Sequence, residues 1–106
     1  MSLHQNAVQT ELWTSWASLL RSYAAAHGLN APQHAVIEVS PGSITLRVGA
    51  RWLRFTPTEV TSGDHPPIPF RLNDNGTVTI ADIPEEEMDI AAERFAREML
   101  ALPPTS

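Results

Sequence analysis

Apolar positions recur through residues 6–27 with a helical period. At about 100° per residue, Leu12, Trp13, Trp16, Ala17, Leu19, Leu20 and Tyr23 fill roughly half the circumference. Glu11, Thr14, Ser15, Ser18, Arg21 and Ser22 hold the other side. Asn6 and Gln9 have capping-box spacing, and Gly28 stands where a terminating glycine is expected. The pattern predicts a helix over 6–27. Its apolar arc is wider than one small sheet covers. Trp13 and Ala24, at the far edge of that arc, either seat against a neighbouring loop or form a self-association surface.

The pattern then changes to alternation. Ala35 to Ser40 alternates, Pro41-Gly42 offers a two-residue turn, and Ser43 to Val48 alternates again. Gly49-Ala50 offers a second turn, with glycine at the first central position as type II′ requires. Arg51 to Thr56 reads as a third strand. Turn length fixes register. The first turn pairs Val39 with Ile44, Ile37 with Leu46 and Ala35 with Val48. The second pairs Leu46 with Leu53 and Ile44 with Phe55. Both place the apolar set on one face, and this agreement predicts a three-stranded meander.

Residues 57–67 hold Pro57, Gly63, Asp64, Pro66 and Pro67, and read as a loop. Ile68–Leu72 and Thr77–Ile80 read as a hairpin around Asn73-Asp74-Asn75-Gly76, with Phe70, Leu72, Val78 and Ile80 inward. A second helix is expected from Asp82, with Pro84 in its first turn and Glu85 at capping-box distance. Glu85, Glu86, Glu87 and Asp89 would complement its N-terminus. Its core stripe is Met88, Ala91, Ala92, Phe95, Met99 and Leu102, and Pro103-Pro104 ends it. The expected fold is one α+β domain over 1–106. It is a two-layer sandwich whose antiparallel sheet of about five strands carries both helices on one face. The element order alone resembles that of type III secretion chaperones. It departs from them at 57–67, where that family has a helix and this chain has prolines.

Composition narrows the function. The chain has 106 residues, 42% hydrophobic and 18% charged, which excludes a disordered solvating chain. No stretch approaches the ~18 apolar residues of a membrane helix. Cysteine is absent, so disulfides and zinc-thiolate sites are excluded. The net charge of −5 has the wrong sign for a generic nucleic-acid binder. The first residues lack a basic segment followed by an apolar one, so no secretory signal is visible and a cytoplasmic chain is expected.

Candidate chemistry is sparse. All five glycines sit at an expected cap, turn or loop, leaving none for a phosphate cradle. His4, His27, His34 and His65 show no metal-ligand spacing, although His27 and His34 flank one connection. Ser62-Gly63-Asp64-His65 holds three residue types of a hydrolase triad, but neighbours in one loop rarely reach both nitrogens of the imidazole. The Glu85–Glu87 run reads as a solvated cap and Asn75-Gly76-Thr77 as a turn. Pro66 to Pro69 reads as a loop entering a strand, not a free polyproline ligand. Ile90 lies opposite the second helix's core stripe.

The outer face of the meander is richer. The registers align Val36, Arg47 and Trp52 in one row and Glu38, Thr45 and Arg54 in the next. Either Trp52 lies flat under guanidinium groups, or the patch binds a partner, since tryptophan and arginine dominate interface hot spots. The expectation is a non-enzymatic protein–protein interaction module, homodimeric or with another protein partner. Its interaction residues would be Trp52, Arg47, Arg54, Val36 and Trp13, with no cofactor, metal, nucleic acid or membrane involved. The alternative is a small-ligand binder or enzyme with a pocket beside the 57–67 loop, using Asp64, His65 and Arg71.

Overall fold

A computed structural model describes residues 3–29, 31–63 and 65–101, with side chains in the first helix from Gln9 onward. The chain runs α1 (Leu3–Gly28), β1 (Ala35–Ser40), β2 (Ser43–Val48), β3 (Arg51–Phe55), β4 (Glu59–Thr61), β5 (Ile68–Leu72), β6 (Thr77–Ile80), β7 (Ile83–Glu87) and α2 (Met88–Ala101). All seven strands form one antiparallel meander in chain order, and the fold is α+β. The apolar rows of the sheet and both helices meet in one cluster.

The three-strand meander has the expected register throughout. Ile37 faces Leu46, Val39 faces Ile44, Leu46 faces Leu53 and Ile44 faces Phe55. The turns explain why. Pro41 followed by Gly42 at φ +80° gives a type II turn, and Gly49 at φ +62° opens a II′ turn. Each closes its hairpin without adding or losing a residue, so the pleat stays in phase.

Trp16 is fully buried at the centre of the cluster. Its ring meets Phe55 at 5.4 Å, Phe70 at 5.5 Å and Phe95 at 6.1 Å between centroids. Its indole N–H finds no oxygen or nitrogen acceptor among the described residues. Its T-shaped neighbours are the rings of Phe55 and Phe95.

The structure corrects several expectations. The 57–67 segment contains β4, whose Val60 is buried and pairs with Phe55 on one side and Ile68 on the other. Residues 83–87 are not the first turn of a helix but β7, so the sheet has seven strands and α2 starts at Met88. Thr77 faces Glu87 and Val78 faces Glu86, then a bulge shifts the register before Ile80 meets Ile83. Pro84 therefore sits beside a bulge on an edge strand, where its missing donor is tolerated. α1 begins at Leu3, so Asn6 lies within the helix and not at its N-cap position. The stripe of α2 also includes Ala96 and Leu100, while Phe95 is only half-buried. Leu102 and the terminal prolines fall outside the described residues. At β1, Val39 faces the helix layer yet stays 50% exposed, because β1 is the sheet edge.

Candidate functional site

The sheet brings four of the five expected interaction residues together. Val36–Arg47–Trp52 form one cross-strand row, with Glu38–Thr45–Arg54 beside it. The arginines divide their roles. Arg54 stacks over the Trp52 ring with its guanidinium carbon 5.1 Å from the centroid. Arg47 turns the other way and donates from Nη2 to Glu38 Oε1 at 2.9 Å, with a second contact from Nε at 3.3 Å. Trp52 thus lies under one guanidinium, not between two. Thr45, expected on an open face, is buried at 6% exposure. It is the short residue in a field of long ones, flanked in register by Glu38 and Arg54.

Trp13 is not part of this patch. It sits on α1, half-buried against the core cluster. With Gln9, Thr10, Gly42, Pro57 and Leu72 it lines a shallow groove of about 290 Å³. Ala24, its companion at the far edge of the arc, is buried.

A concavity does flank the 57–67 segment. On β3, β4 pairs with Arg54 and Phe55, so among the described residues no strand pairs with the first half of β3 on that side. The turn after β4 swings away and leaves about 390 Å³ between Arg51, Trp52 and Leu53 on β3, Ser62, Gly63 and His65 on the turn, and Met99 on α2. Of the expected pocket residues only His65 lines it; Asp64 lies outside the described residues. Arg71 lies elsewhere and donates to Asn73 Oδ1 at 3.2 Å. The lining from Ala50, Leu53 and Met99 had no signal in the sequence, because it follows from how far β4 runs.

The other candidates resolve into local structure. The His65 N–H donates to the Ser62 carbonyl at 2.9 Å, as in an ordinary turn. His27 contacts Glu93 of α2 at 2.8 Å, whereas His34 lies in a separate groove beside Ala25 and Leu29. The acidic run splits by strand alternation. Glu86 points to the helix layer and pairs with Arg94, while Glu85 accepts from Asn73 and Thr77 on the outer face. Among the described residues no group of three His, Cys, Asp or Glu is arranged to hold a metal ion. Nor is any described helix long and apolar enough to cross a membrane.

No protein-family model, curated protein or solved structure matches the chain.

Proposed function

We propose that the protein is a non-enzymatic protein-interaction module that works as a homodimer, with the β1–β3 end of the sheet as its binding region. The observation that carries this reading is the company Trp52 keeps. Val36 is 52% exposed on the same face as the Trp52–Arg54 stack and the Arg47–Glu38 pair, and Val39 is half-exposed on the same strand. Aromatic, arginine and exposed aliphatic side chains in one patch are the composition of interface cores. The patch also carries both signs of charge, so neither a second copy beside it nor another protein upon it meets a uniform repulsion.

Sedimentation at micromolar concentration tests the reading. The expected mass is twice 11.6 kDa. A chain that stays at 11.6 kDa up to high concentration overturns it. The concavity between β3 and the Ser62–His65 turn favours a second reading, a small-ligand binder or enzyme. Its sparse polar groups and apolar floor are typical of ligand pockets.

A further inference from the structure

We infer that β1 is the dimer edge: it pairs antiparallel with β1 of a second copy, Ile37 opposite Ile37. This rests on the homodimer reading and adds the surface and the register.

The two edges of the sheet are built in opposite ways. An exposed edge strand invites pairing with another chain unless charge, proline or a bulge discourages it. β7 has all three devices: Pro84, three consecutive glutamates and the register shift between Val78 and Ile80. β1 has neither proline nor bulge. Its sequence is Ala-Val-Ile-Glu-Val-Ser, its register is unbroken, and its single charge, Glu38, is engaged by Arg47 on the outer face. β1 is the edge left open.

The hydrogen-bonding groups of β1 can be assigned. Ser40 and Ser43 flank a two-residue turn, so they form a hydrogen-bonded pair. Pairs in an antiparallel ladder alternate. Ser40, Glu38 and Val36 therefore bond to β2, and Val39, Ile37 and Ala35 turn their N–H and C=O groups to the free edge. The β2–β3 turn gives the same phase. Val48 and Arg51 close it, which directs Ile44, Leu46 and Val48 to β3 and leaves the alternate residues for β1.

These assignments select one register. A two-fold centred on Ile37 places Ile37 opposite Ile37 and Ala35 opposite Val39 in both directions. All three pairs are hydrogen-bonded pairs of apolar residues facing the helix layer. On the outer face Val36 meets Glu38, and no like charges oppose. Centring on Glu38 instead sets the two Glu38 carboxylates against each other and takes Ala35 out to the turn proline. Centring on Val36 leaves Val39 unpaired. A centre between residues would put inner side chains against outer ones.

A groove on the helix side fits this register. Ala25, Leu29, His34 and Ala35 border a depression of about 210 Å³ at the start of β1. Leu29 is 83% exposed. Because Ala35 lies opposite Val39 of the other copy, that half-exposed valine arrives beside the groove and gains an apolar seat. Two-fold symmetry repeats the contact at the other end.

The chain has no cysteine, so one introduced thiol reports one contact. Directly opposed hydrogen-bonded residues have Cα atoms about 5.5 Å apart, within disulfide reach. Under mild oxidation Ile37→Cys is expected to yield a covalent dimer, and Glu38→Cys to remain largely uncrosslinked. Val39→Pro removes a donor that faces only the free edge. It is expected to lower the sedimenting mass to 11.6 kDa with an unchanged circular dichroism spectrum. A wild-type dimer that crosslinks through Glu38→Cys and not Ile37→Cys, or that survives Val39→Pro, overturns the edge assignment and leaves the homodimer reading standing. A monomeric wild-type chain overturns both.

Discussion

Leu46 and Thr45 are neighbours on β2 that face opposite sides, and both are buried. They are buried by different means. Leu46 lies between Ile37 and Leu53 in the closed core, where truncation leaves a cavity that the surroundings fill only in part. Thr45 lies among long polar side chains that can move over a gap. Leu46→Ala is therefore expected to cost about 2–5 kcal/mol, and Thr45→Ala about 1 kcal/mol, since it removes one methyl and a hydroxyl that has water within reach. Urea denaturation of the two variants checks this, and equal losses would contradict the assigned faces. The pair also shows what alternation can and cannot reveal. It tells which way a side chain points, and every register from Ala35 to Phe55 was legible for that reason. It does not tell what lies above the side chain. Thr45 points outward yet is covered, and Val39 points inward yet is half-exposed at the sheet edge. The division of labour between Arg47 and Arg54 was hidden likewise, since nothing in the row order says which guanidinium takes Trp52 and which takes Glu38.

At the scale of elements, β7 departs furthest from the sequence pattern, because its residues serve two purposes equally well. Asp82, Pro84 and the glutamates that follow are the residues of a helix start. Proline and charge are also what guards a sheet edge. Two tertiary contacts decide the matter: β6 takes a second partner, and Glu86 reaches Arg94 on α2. Neither follows from the residue types alone, which suit a helix start and a guarded strand equally. β4 leaves as little trace in the sequence, being a strand of three residues among prolines and a glycine. The β6–β7 connection carries a testable cost. Ala81 holds a left-handed φ of +47° in the turn between Ile80 and Ile83. An L-residue there is strained by roughly 1–2 kcal/mol, whereas glycine occupies the region freely but loses more entropy on folding. The balance favours glycine. Ala81→Gly is expected to raise stability by about 0.5–1 kcal/mol, seen as a higher urea midpoint at unchanged slope. A fall in the midpoint would mean that the turn is not strained.

At the scale of the molecule, the positions of the helices leave two ways for copies to meet, and they differ in shape. One copy has a Cα radius of gyration of 13.8 Å. Joined edge to edge through β1, two seven-stranded sheets become one. Their centres then lie about six or seven strand spacings apart, roughly 30 Å once twist is allowed for. Adding half that separation in quadrature to 13.8 Å gives a dimer radius of about 20 Å. Packed face to face over Trp52, the sheets would lie about 10 Å apart with each centre displaced towards its helices, and the radius would be near 17 Å. Small-angle scattering separates these values from each other and from the monomer. The edge-paired arrangement is expected, because it covers Val39 and the open hydrogen-bonding groups of β1, which face-to-face packing leaves exposed. It also leaves both Trp52–Arg54 stacks uncovered on one continuous face, free for a further protein partner. A radius near 17 Å would instead make Trp52 itself the dimer contact, and Trp52→Ala would then dissociate the pair.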